Sequence, residues 1–152
     1  MPNALLLLLL TAFPSTSQTS WMRPESFRLA IGMPRTEVVR VLEKWAPKTG
    51  RNANELVVDY TDDKALTLEF RKNRLTSIRF ELFVYVSEAR KAFEEEKKHL
   101  ATARGNPPKA TKSIVIYDNA LPNVMVVVAD DPKSAQGKKG LGVLAVRYYD
   151  PR

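Results

Sequence analysis

"ALTLEFRKNRLTSIRFEL" occupies residues 65–82, and its pattern decides the fold. Apolar and polar residues alternate on both sides of the turn KNR. Period-two alternation marks a half-buried strand, because successive side chains leave opposite faces of the pleat. Leu66, Leu68 and Phe70 share one face, and Ile78, Phe80 and Leu82 do likewise on the return strand. Thr67, Glu69, Arg71, Ser77, Arg79 and Glu81 take the other. The stretch is an antiparallel meander with one buried and one wet face. Upstream, ELVVDY (55–60) adds a strand through the turn TDDK.

A buried sheet face needs a cover, and "FRLAIGMPRTEVVRVLEKW" (27–45) supplies one. Val38, Val41, Leu42 and Trp45 recur at i, i+3, i+4 and i+7, which predicts a helix from Pro34 to Trp45. Pro34 suits the first helical position, where its missing N–H costs nothing. Glu37 favours the positive end of the helix dipole, and Pro47 and Gly50 stop the helix. Residues 27–31 read as a short strand, and residues 18–26 as a leader strip before it.

The second half repeats the order. Ser87 is placed to cap a helix with Glu88 in its first turn. That helix presents Ala89, Phe93, Leu100 and Ala103 as its apolar stripe and ends at Gly105-Asn106-Pro107-Pro108. Three strands follow: SIVIYD (113–118), VMVVVAD (124–130) and LGVLAVRYY (141–149). The turn NALPN joins the first two, and DPKSAQGKKG joins the last two. The closing strands of the halves align, SIRFE (77–81) on AVRYY (145–149), pairing Ile78 with Val146, Arg79 with Arg147 and Phe80 with Tyr148. We expect an α+β fold, one antiparallel sheet with the helices on one face, built as tandem helix–strand–strand–strand units at 27–84 and 85–152.

Length and composition agree with this size of fold. At 152 residues, 44% hydrophobic and 27% charged, the chain is globular and long enough for one domain or two small halves sharing a core. The net charge of +7 favours anionic partners, or else only keeps the protein soluble. The apolar block ALLLLLLTAF is too short to span a bilayer and is followed by PSTSQTS. Residues 1–17 thus read as a signal peptide cut between Ser17 and Gln18, or as an uncleaved anchor, without the usual basic residues in front. The expected location is periplasmic or secreted. With no cysteine, there is no lipid-attachment site, no disulfide and no thiolate metal site.

LAIGMPRTEVVRVL, VVDY and LTLEFRKNRLTSI together resemble the unit of the SmpA/OmlA (BamE-like) and β-lactamase-inhibitor-protein-like families. Ile31, Gly32, Met33, Glu37, Val38 and Leu42 sit on the helix-start pattern of that unit. Leu66, Leu68, Phe70, Leu75 and Ile78 sit on its hairpin pattern, so the likeness covers about residues 27–82. The resemblance implies the fold and a cell-envelope setting. It transfers no partner, since the lipoproteins' cysteine and the inhibitors' disulfides are both missing here.

In Gly32-Met33-Pro34, a single glycine followed by a residue without an N–H is poor for holding an anion, so it reads as a helix start. GKKGLG (137–142) lacks the Ser/Thr and the strand–helix setting of a phosphate loop. It reads as a basic hairpin tip offering Lys133, Lys138 and Lys139 to an anionic surface. His99, the sole histidine, has no second histidine to complete a metal site and reads as part of a solvated helix face, as does EEEKK (94–98). Asp62-Asp63 and Asp130-Asp131 read as turn residues.

The second-half strands are the best functional lead. Alternation fails across Ile114–Tyr117 and Val124–Val128, so both faces there are apolar. Aligning Arg79 with Arg147 puts Val143, Arg147 and Tyr149 on the outer face. Val115 or Ile116, Tyr117, Met125 and Val127 join them, the register being open. Such a patch fits a protein interface, unless a loop, the leader strip or a second copy covers it. The expectation is a non-enzymatic, exported protein-binding module of the cell envelope with no cofactor and no nucleic acid partner. An envelope protein holding anionic lipid or polymer is the alternative. A hydrolase would need convergent titratable groups, which one histidine and no cysteine make scarce.

Overall fold

The computed structural model describes residues 17–134 and 137–152. The proposed signal peptide therefore lies almost wholly outside the described residues, as do Ala135 and Gln136 of the last loop. The described residues form an α+β fold of two α-helices and one eight-stranded antiparallel sheet. The first helix, α1, is Arg35–Val41. The strands β1 (Lys48–Thr49), β2 (Glu55–Thr61), β3 (Lys64–Arg71) and β4 (Arg74–Tyr85) follow. Then come α2 (Val86–Arg104), β5 (Lys109–Ala110), β6 (Ile114–Tyr117), β7 (Asn123–Ala129) and β8 (Leu141–Tyr149). Their order across the sheet is β1-β2-β3-β4-β8-β7-β6-β5, so β4 and β8 meet at its centre.

The quoted hairpin folds as its alternation requires. Leu68 faces Ile78 and Leu66 faces Phe80, all four fully buried. Lys72 and Asn73 form the turn with φ of 51° and 59°, the left-handed geometry that matches the twist of a tight hairpin. A bulge at Glu69/Phe70 keeps Phe70 on the buried face opposite Leu75. In the second half, alternation returns once burial is seen. Val124, Val126 and Val128 are buried while Met125 and Val127 are half-exposed. The unbroken apolar run hid that period.

Both helices lie on the buried face. Val38 and Leu42 enter the core from the α1 side, and Ala89, Ala92, Phe93 and Leu100 from α2. Pro34 precedes α1 as its N-cap, and the α-helix stops at Val41, giving way to a 3-10 turn at Glu43–Trp45. The second helix begins at Val86 directly off β4, with Tyr85 as N-cap, so Ser87 caps nothing. Gly142 on β8 lets the start of α2 come close: a Cβ there would stand 2.9 Å from Ala89 Cβ and 3.2 Å from Val86 Cα. Ala103 proves exposed, and Glu96 takes a place in the buried stripe.

Residues 17–31 depart most from expectation. No strand forms at 27–31; instead Pro24–Phe27 is a 3-10 turn, with Arg28 left-handed behind it. Proline at its start fixes φ and removes a ladder donor, and Phe27 turns inward. The supposed leader strip contributes to the core. Met22 is fully buried, Trp21 stacks on Tyr60 at 5.7 Å, and Phe27 packs on Tyr60, Phe80 and Trp45 at 5.1, 5.9 and 5.1 Å. Burying Met22 and Phe27 is worth about 1.5–3 kcal/mol each. This segment fills the gap between a short α1 and a long α2.

Candidate functional site

The sheet's other face carries no helix among the described residues. Its residues fall into cross-strand rows fixed by the register. Thr67, Arg79, Arg147, Met125 and Ile116 make one row, and Ala65, Glu81, Ala145, Val127 and Ile114 the next. Phe83 and Val143 continue the face towards one end, and Tyr85 faces Leu141 beyond them. The face is polar over β2–β4 and apolar over β6–β8. At its end Phe83, Tyr85, Leu141 and Ile114 are 43, 71, 46 and 37% exposed.

Of the seven interface residues expected from sequence, five lie on this face: Met125, Val127, Val143, Arg147 and Tyr149. Val115 and Tyr117 do not. They pair with Val126 and Val124 on the buried side and are each 1% exposed, so Ile114 and Ile116 take the outward positions. A one-residue register choice moves every side chain of a strand to the opposite face, and the sequence left that choice open. Tyr117 instead donates its hydroxyl to the carbonyl of Gly105 at 3.0 Å, and burial pushes that hydroxyl's pKa up. Sequence reasoning also missed Phe83, Tyr85 and Leu141, because the central pair runs further than the alternating stretch suggested.

The arginines of this face are tied down. Arg79 donates to Glu81 at 3.1 Å. Arg147 donates to Ser77 Oγ at 2.8 Å and Glu69 at 3.4 Å, with its guanidinium 4.7 Å from the Tyr149 ring centre. Fixed side chains of this kind present a pre-ordered surface, with little rotamer entropy left to lose. At the basic loop, Lys133, Lys138 and Lys139 are all exposed, and none forms an ion pair among the described residues.

A second constellation sits behind the helices. Glu96 is fully buried and bonds Arg23 at 3.0 Å. Arg23 also donates to His99 Nε2 at 3.0 Å and to the carbonyls of Thr19 and Met22. His99 is exposed, and its Nε2 accepts this bond. Tyr148 donates to the carbonyl of Met22 at 3.2 Å, and burial pushes its pKa up to about 12. The reading of EEEKK as wholly solvated is thus corrected at Glu96, and Glu94 pairs with Lys97 at 3.4 Å. The signal for Glu96 was present: Ala92, Phe93, Glu96 and Leu100 form one helical stripe, and a carboxylate within such a stripe is buried. Its partner was hidden, because Arg23 lies 73 residues away.

Beside this cluster opens a cavity of about 450 Å³ between residues 23–31, the second half of α2 and Pro122. Its walls are Leu29, Ile31, Leu100, Ala103 and Pro122, with Arg23, Tyr148 and Arg104 among its polar groups. Glu25, exposed, lines it as well. Among the described residues no group of three or more His, Cys, Asp or Glu is placed to hold a metal ion. No helix among them is long and apolar enough to cross a membrane. Compared with models of protein families, with curated proteins and with solved structures, the chain matches none.

Proposed function

We propose that this protein is an exported, non-enzymatic binding module of the bacterial cell envelope, and that it holds a protein partner on the open sheet face. One observation carries the reading: the β6–β8 half of that face is apolar and uncovered among the described residues, with arginines fixed at its border. Partner surfaces of this kind combine an apolar centre with aromatic and Arg residues. The likeness to SmpA/OmlA and inhibitor-like units is part of the proposal, as is an origin by duplication. In its support, the alignment of Arg79 with Arg147 agrees with the register, in which those two residues face each other across the sheet centre. Export is supported by the apolar block ALLLLLLTAF followed by PSTSQTS.

The test is site-specific photo-crosslinking in cells, from Leu141 on the sheet face and from exposed Lys91 on α2 as control. A discrete adduct from Leu141, absent from Lys91 and lost on Arg147→Glu with Tyr149→Ala, is expected. Adducts of equal yield from both positions, or none from Leu141, would sink the proposal. Amino-terminal sequencing of the exported protein should start at Gln18.

A further inference from the structure

We propose that the cavity between residues 23–31 and the C-terminal half of α2 is a binding site for a medium-chain aliphatic carboxylate. The site lies on the helical side of the sheet and is independent of the partner face. Three observations carry the inference.

The first is size and lining. A volume of about 450 Å³ falls within the range of small-molecule pockets. It is ample for a medium-length alkyl chain and a small headgroup. Leu29, Ile31, Leu100, Ala103 and Pro122 give that chain an apolar wall.

The second is the state of the two arginines. A guanidinium has five N–H donors. Arg23 directs four hydrogen bonds to His99, Thr19, Met22 and Glu96, so its charge is already answered. Arg104 lines the same cavity, is half-buried, and makes one long hydrogen bond of 3.3 Å to the carbonyl of Ala120. It has no carboxylate partner among the described residues. A guanidinium with unused donors beside an apolar wall fits a carboxylate headgroup, which it can bind through two parallel N–H bonds.

The third is the remaining polar edge. The Tyr148 hydroxyl gives its proton to the Met22 carbonyl, so it has none to offer an anion and Arg104 is left as the headgroup's donor. Glu25 also lines the cavity and repels an anion, so an anion is favoured only beside Arg104. An amphiphile with its head at Arg104 and its tail along Leu29, Ile31 and Leu100 meets these conditions.

The experiment is an amide ¹H–¹⁵N titration of the purified protein with octanoate, and separately with octanol. Octanoate should give saturable shifts at Leu29, Ile31, Leu100 and Ala103, with sheet-face residues such as Val127 unmoved. Octanol should bind at least tenfold more weakly, and Arg104→Gln should lower octanoate affinity at least tenfold. Ala103→Trp, which crowds the cavity wall without altering charge, should lower octanoate affinity at least tenfold. Octanol binding as tightly as octanoate, or unchanged affinity in Arg104→Gln, overturns the anionic class. Shifts that do not saturate, or an affinity unchanged by Ala103→Trp, overturn the site. The spectrum of each unliganded variant reports whether it is folded, and the octanol comparison needs no variant at all.

Discussion

Arg79 and Arg147 face each other across β4 and β8, at the centre of the eight-stranded sheet. Two like charges directly opposite on neighbouring strands repel. Each is answered by its own carboxylate: Glu81 at 3.1 Å for Arg79, and Glu69 at 3.4 Å for Arg147. Glu69→Gln combined with Glu81→Gln should therefore cost about 1 kcal/mol of stability by chemical denaturation, since each half-exposed pair contributes little alone. Adding Arg147→Gln should recover part of that loss, as should raising the salt. A triple variant less stable than the double would show that repulsion is not the cause.

The buried Arg23–Glu96 pair pins the amino-terminal segment to α2. Removing one member leaves an uncompensated charge in the core. Arg23→Met should lower stability by about 3 kcal/mol, and Arg23→Met with Glu96→Leu should be markedly less destabilised than the single change. Urea unfolding of the three proteins distinguishes this from simple loss of a contact, for which the double variant would be the worst.

Asp130 holds Arg90 at 2.7 and 2.9 Å, and the hydrogen bonds from Arg90 hold its carboxyl below the ordinary aspartate range. A folded-state pKa below the unfolded value of about 3.9 means that the pair stabilises above that value. The contribution is lost as pH falls through the lower, folded pKa. Asp130→Asn should be less stable than the natural protein at pH 7, with the gap closing below about pH 4. A gap that is the same at pH 3 and pH 7 would refute the linkage.

The hairpin turn places Lys72 in left-handed backbone without a glycine. Replacing Lys72-Asn73 by Asn-Gly matches the preference of this turn. It should raise stability by about 1 kcal/mol, or a midpoint shift of about 2–4 °C on heating.

Gly142→Leu should destabilise by about 1–3 kcal/mol, since even a Cβ meets Ala89 and Val86 at the start of α2. Gly32→Ala at the mouth of α1 meets nothing within 4 Å and is strained only by its φ of 92°. The two variants separate steric from conformational cost in one thermal unfolding series.

The sequence by itself determined the strands of 65–82, the two helices and the sidedness of the first half-sheet. Those signals are local: the period of apolar residues on one element dictates which face is buried. It also pointed to the sheet face on which Met125, Val127, Val143, Arg147 and Tyr149 stand. Tertiary structure alone decided the rest. The register of β6 sent Val115 and Tyr117 inward, because an all-apolar strand satisfies either face until a neighbour fixes its pairing. Residues 18–26 contribute to the core because a short α1 left aromatic surface on Tyr60 and Phe80 uncovered. Arg23 met Glu96 because that same packing brought the segment against α2. Contacts between residues distant in the chain depend on the space other elements leave, and no local period records it.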